Sequence, residues 1–264
     1  MNGELSRADL LSVVERSPAA AAAHDRAGWV GLFAADGSVE DPVGSRPAVG
    51  HHQIGKFFDT FIGPRDIVFH RDADYVAGAT VLRDVLLQVS MGGGVDMRIP
   101  AYLRYVVNGD HTIAELQAYW ELPAMLWQFA RQGVGAATAG AGLAVGLLRN
   151  QGPLGTLGFA RGFRRPGRRD RALLDALLTA VSSGDQLTVH RMLGRGTPIS
   201  AGDDGALGLE ELSAVLRGAT WSKRIGAGPT VAVGVRTADD SRGVLLVDFR
   251  SEGLPAITRL RWFC

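Results

Sequence analysis

The chain has 264 residues, a formal net charge of +1, 46% apolar residues and a single cysteine, Cys264. That length suits one large domain or two small ones, and the apolar fraction is ordinary for a globular protein. The balanced charge gives no global field toward nucleic acid or membrane, and one cysteine excludes an intramolecular disulfide. A reducing compartment fits, and the polar, mixed-charge stretch Met1–Asp9 lacks the layout of a signal peptide, so the expected location is the cytoplasm.

The first helix is predicted over Ser6–Ala23, with Ser6 and Asp9 as caps and Leu10, Val13 and Val14 at helical spacing. His24-Asp25 breaks it, and a short helix is predicted over Gly28–Ala34. A short apolar strand then ends in Gly37-Ser-Val-Glu-Asp41-Pro-Val-Gly-Ser45. Pro42 biases Asp41 to an extended backbone, so an acid side chain is held at the end of an element. A third helix is predicted over Val49–Phe61, and four strand-like runs follow: Ile67–Val76, Thr80–Met91, Val95–Val107 and Thr112–Glu121. In the third run Met97, Ile99, Ala101, Leu103 and Tyr105 alternate with Asp96, Arg98, Tyr102 and Arg104. This order predicts an α+β layout, a curved antiparallel sheet with helices over its concave face.

Composition changes at Met125. The Gly/Ala-rich stretch up to Leu148 is not a nucleotide loop, because no predicted strand precedes Gly133 and the glycine spacing is wrong. A linker or packed helix, a membrane-surface contact and a span all remain open for it, the last being short. Arg161–Arg171 holds six arginines, read as a solvated linker and helix start or as an anionic-lipid patch. From Arg168 the element order of the first half recurs: helices at Arg169–Ser183, Asp185–Leu193 and Leu207–Arg217, and strands near Thr197–Ala201, Thr230–Val235, Gly243–Phe249 and Ile257–Phe263. The expectation is an internal repeat, similar in pattern and not in identity. The predicted division is 1–124, 125–167 and 168–264. In the second copy the position matching Asp41 is Ala201, so that copy is expected to be a structural partner.

The run Val39-Glu-Asp-Pro-Val-Gly-Ser45, with the ungapped stretch from Val13 to about Phe58, resembles the steroid Δ-isomerase (ketosteroid isomerase) branch of the NTF2-like superfamily, which also holds SnoaL-like proteins. The resemblance covers a little under half of the chain. It implies two NTF2-like cone domains, each a curved antiparallel sheet covered by helices, and an intrachain pseudo-dimer in place of the family's usual pair of chains, the whole being a monomer in one reading. It also implies an apolar pocket for a small, steroid-like hydrophobic ligand, with no cofactor.

Moving a proton from carbon needs a base of suitable pKa and donors aimed at the oxygen that gains charge. The resemblance makes Asp41 the base. On the local pattern alone an aspartate before proline more often caps a turn. The family's oxyanion tyrosine falls on Ser17, and its second donor, a protonated aspartate, on Ala101. Both departures weaken the isomerase expectation, and Tyr105 and Trp120 are the inward replacements. Phe33, Phe57, Phe58, Leu103, Leu116 and Trp120 are the expected pocket walls, or simply core. Metal binding is not expected, since His51 and His52 are adjacent and no Cys/His cluster exists. Two readings stay open: an isomerase-like enzyme, and a non-catalytic sterol, lipid or polyketide binder or scaffold that touches a membrane surface through 125–171.

Overall fold

The computed structural model describes residues 5–91, 94–131, 149, 161–194 and 196–264. These fall into two compact units. The first comprises the residues up to Asp74 and from Ala79 to Phe163; the second comprises Arg164–Cys264, with Tyr75–Gly78 grouped with it. The Gly/Ala stretch from Gly133 to Leu148 lies outside the described residues. Among the described residues no helix is long and apolar enough to cross a membrane.

The first unit opens with α1 (Arg7–Ala22). Ser6 accepts from the Asp9 amide while the Asp9 side chain reaches back to the Ser6 backbone, a reciprocal cap that satisfies two otherwise orphaned donors. The helix buries Leu10, Val13, Val14, Ser17 and Ala21. A two-turn helix, α2 (Arg26–Gly31), is capped by Asp25, which accepts from the Gly28 amide at 2.8 Å. It starts two residues earlier than the pattern predicts and ends before Phe33, which already belongs to the next strand.

That strand is β1 (Phe33–Glu40), and β2 (Ala48–Val49) pairs with it. Helix α3 (Gly50–Phe57) runs straight into a π-helical turn, Phe58–Ile62. The rest is a meander: β3 (Asp66–Ala77), β4 (Thr80–Ser90), β5 (Asp96–Val107) and β6 (Ile113–Tyr119), followed by α4 (Leu122–Ala130). The sheet order is β2-β1-β6-β5-β4-β3.

Most pairs are antiparallel as expected, but β1 runs parallel to β6. No hairpin joins these two strands, so no turn forces them to oppose. A register shift between Phe33 and Ser38 accommodates the join, and Gly37 sits there because a Cβ would come within 2.9 Å of the Ala34 and Ile113 carbonyl oxygens.

The second unit follows the same plan. Its elements are α5 (Arg168–Ser183), α6 (Gln186–Leu193), β7 (Ile199–Ala201), β8 (Gly205–Ala206), α7 (Leu209–Leu216), β9 (Thr220–Ala227), β10 (Thr230–Arg236), β11 (Arg242–Phe249) and β12 (Ile257–Phe263). The sheet order is β8-β7-β12-β11-β10-β9, strand for strand that of the first unit, and β7–β12 is again the parallel pair. Asp185 caps α6 through the Thr188 amide just as Asp25 caps α2. Neither sheet closes into a barrel. The sequence pattern did not reveal β9: it is an edge strand whose exposed positions are Thr220, Ser222 and Arg224 and whose other face includes Lys223, so it lacks the apolar alternation that marked its neighbours.

Candidate functional site

A cavity of about 150 Å³ lies inside the first unit, between its helices and its sheet. Most walls come from elements whose apolar periodicity turns one face inward. From β5 come Met97, Ile99, Leu103 and Tyr105, the predicted alternating set; from β6 come Leu116 and Ala118, with Trp120 just beyond the strand. The π-helical turn presents Phe61 and Ile62, and α4 presents Met125, Leu126 and Phe129. Among the described residues, polar chemistry in this apolar space comes from Ser17, Asp41, Arg65, Tyr105 and the indole N–H groups of Trp29 and Trp120.

Asp41 follows the last residue of β1. The turn-capping role that its local pattern suggested belongs instead to its neighbour. Glu40 accepts from the Gly44 amide at 2.7 Å with one oxygen and from the Gln117 side chain at 2.8 Å with the other. Gln117 in turn accepts from Arg104 at 3.0 Å and from the Tyr119 hydroxyl at 2.9 Å. Glu40 is thus tied to the outer face of β6 and β5. Because successive residues of an extended chain point to opposite faces, Asp41 is turned to the cavity.

The Asp41 carboxyl receives one hydrogen bond among the described residues, from Trp120 Nε1 to Oδ1 at 2.5 Å. Its remaining surface is cavity surface, and protein encloses it at longer range. Desolvation therefore pushes its pKa from 3.8 up to about 6, against the Trp120 hydrogen bond, which pulls it down. Such a carboxyl is ionised at neutral pH yet takes up a proton more readily than an exposed one.

Tyr105 is buried on β5. Burial pushes its hydroxyl up to about 12, with a hydrogen bond to Ser17 acting in the opposite direction. Ser17 also accepts from Trp29 Nε1 at 3.2 Å. With its lone pair engaged by Trp29, the serine hydroxyl is oriented toward its tyrosine partner. The group that replaces the family's tyrosine on α1 is thus part of a short chain Trp29–Ser17–Tyr105 rather than an isolated hydroxyl.

Seven of the ten residues singled out from sequence line the cavity: Asp41 and Tyr105, with Ser17, Phe57, Leu103, Leu116 and Trp120. Phe33, Phe58 and Ala101 are buried but are not among its walls. Phe33 and Phe58 pack on Trp29, at ring-centroid distances of 4.9 and 5.6 Å. Ala101 has only a methyl to offer and is covered by its neighbours. Sequence reasoning missed Arg65, Trp29, Ala118 and the α4 residues. The last had a signal: Met125, Leu126 and Phe129 share one helical face. Arg65 had none, since it follows Gly63-Pro64 in a turn without periodicity.

Among the described residues the second unit has no carboxyl at the place of Asp41. Its β7–β12 register pairs Ala201 with Trp262; in the first unit the last printed pair is Glu40 with Gln117, so Asp41 and Ala118 come next in register. Trp262 is buried in the core of that unit, and Gly243 leaves room for its ring: a Cβ there would lie 2.3 Å from the indole. Trp262 thus stands in the second unit at the register position that Ala118 holds in the first. Among the described residues no group of three His, Cys, Asp or Glu could hold a metal ion.

Residues 10–127 match the family model of the nuclear transport factor 2 (NTF2) domain. No curated protein matches the chain. Among solved structures, it is similar to RV0760c from Mycobacterium tuberculosis, at 25% identity over 46% of this chain and 96% of that one, TM-score 0.42. It is similar to the Δ5-3-ketosteroid isomerase from Mycobacterium sp. at 25% identity, over 44% of this chain and 96% of that one, TM-score 0.42. An LEH-like epoxide hydrolase of M. tuberculosis matches at 17% identity over 47% and 91% of the two chains, TM-score 0.42. The chain carries two α+β units of NTF2-like fold, the family model falling on the first of them.

Proposed function

We propose that the cavity of the first unit takes a flat, apolar ketone of steroid type, and that Asp41 moves a proton between two of its carbons. The observation that carries this reading is the Asp41 carboxyl itself. It faces an apolar cavity, has one hydrogen-bond partner in Trp120, and leaves backbone capping to Glu40.

In the proposed sequence the ionised carboxyl takes a proton from the carbon between the ketone and the double bond. Electrons move into the carbonyl, giving a dienolate, and the proton returns two carbons further on. The product is the conjugated enone; nothing is oxidised and no cofactor takes part. A pKa of about 6 suits the task, because the group is charged at neutral pH and is a better acceptor than an ordinary aspartate. Tyr105 stays protonated throughout this range and is the donor to the dienolate oxygen, held by Ser17. The same strand order and the matching helix caps support reading the second unit as an internal copy that has kept the frame and filled the pocket.

Holding a ligand without turnover is the second reading, favoured by Ala101 in the place of the family's second donor. The two readings separate on a Δ5-3-ketosteroid. Native protein that raises the enone absorbance supports the first. Native protein that binds the steroid and leaves it unchanged supports the second.

A further inference from the structure

Arg65 is the cavity-lining residue that isomerisation does not use. It sits between the π-helical turn and β3, half-buried, beside the cavity walls Ile62, Ile67 and Phe69. Its guanidinium makes one hydrogen bond, from Nη1 to the Thr60 carbonyl at 2.6 Å. Among the described residues no carboxylate pairs with it. The nearest acids in sequence are engaged elsewhere: Asp59 with Arg26 at 2.7 Å, and Asp66 with His24 at 3.1 Å. A guanidinium carries five N–H donors in a planar fork, so Arg65 retains most of its capacity. Removing such a charge from water without a partner is costly, and burial indeed lowers its pKa with nothing to offset it. Asp41 follows β1 and Arg65 precedes β3, with β6, β5 and β4 between those strands in the sheet, so the two enter the cavity from different sides.

We propose that Arg65 is an anion-recognition site, and that the ligand of this cavity is an apolar body ending in a carboxylate- or sulfate-type group. The fork geometry of arginine matches both anions with two parallel hydrogen bonds. The anion would supply the charge that the fold withholds from Arg65, while the other end of the ligand reaches Asp41. The proposal rests on the cavity being a ligand site and is independent of Asp41 acting as a base.

Two fluorescent probes with one ring skeleton test it: anionic 1-anilinonaphthalene-8-sulfonate and neutral N-phenyl-1-naphthylamine. Titration of native protein, Arg65→Met and Arg65→Lys compares them, with the neutral probe reporting that the cavity is intact. The expected result is a loss of about tenfold or more in sulfonate affinity for Arg65→Met, corresponding to one charge-assisted contact. The neutral probe should change less than about twofold, and Arg65→Lys should lose less than the methionine variant. Equal losses for both probes, an unchanged sulfonate affinity, or failure of both probes to enter native protein would overturn it. The same titrations in Asp41→Asn separate the two readings: a dead isomerase that keeps its anion preference leaves this proposal standing.

Discussion

A single carboxyl carries the chemistry proposed for this protein, and its surroundings set its proton affinity in two opposing ways. Enclosure raises the Asp41 pKa, and the Trp120 indole lowers it. Replacing Trp120 with Phe removes the lowering contribution. The pH at which activity reaches half its plateau should then move above the native value of about 6, measured as the acid limb of kcat/KM. Stability has its own signature. The folded pKa lies above 3.8, so the fold disfavours the charged form: stability contributed by the neutral carboxyl is complete below pH 3.8 and is lost as pH rises through about 6. The gap corresponds to at most about 3 kcal/mol. Asp41→Asn, which keeps an acceptor for Trp120, should therefore be more stable than native protein at pH 8 and little different at pH 3.5, read from urea melts at both pH values. For the donor, Tyr105→Phe should lower kcat by roughly 10²–10³, the usual range for one oxyanion donor. Ser17→Ala should have a smaller effect, since Ser17 acts through Tyr105.

Among the elements, alternation along β5 was legible in the sequence because a period of two needs no partner to be seen. It turned Met97, Ile99, Leu103 and Tyr105 to one side, and these line the cavity. The fate of Glu40 and Asp41 was not legible in the same way. Locally either carboxylate could cap the turn at Gly44, and the choice is made by Gln117, 77 positions away in sequence. Edge strand β9 and the turn that holds Arg65 escaped notice for a related reason: their roles come from tertiary neighbours, and their own residues carry no periodic signal. The paired strands also put a small residue beside the cavity of the first unit and a large one in the core of the second. Ala118 in β6 and Trp262 in β12 occupy equivalent places beside the ends of β1 and β7. Ala118→Leu should therefore reduce the affinity of the neutral naphthylamine probe by about tenfold or more. Trp262→Ala should cost about 3–5 kcal/mol in a denaturant melt, the usual range for emptying a large aromatic site.

Across the whole molecule, two units share one strand order and divide the chemistry unequally. The first holds a carboxyl, a hydrogen-bonded tyrosine and an arginine around an apolar space. In the second, Trp262 fills the matching place and Ala201 stands where the base would be. One ligand should therefore bind per chain, by isothermal titration with either naphthalene probe; two equivalent sites would contradict this unequal division. The most direct test of the central claim is the rise of conjugated-enone absorbance on adding a Δ5-3-ketosteroid to native protein beside Asp41→Asn. The account predicts turnover by native protein, with an acid limb near pH 6, and a loss of about 10²–10⁴ in the variant. Equal rates for the two proteins, or no turnover by either while the steroid is bound, would contradict Asp41 as the base.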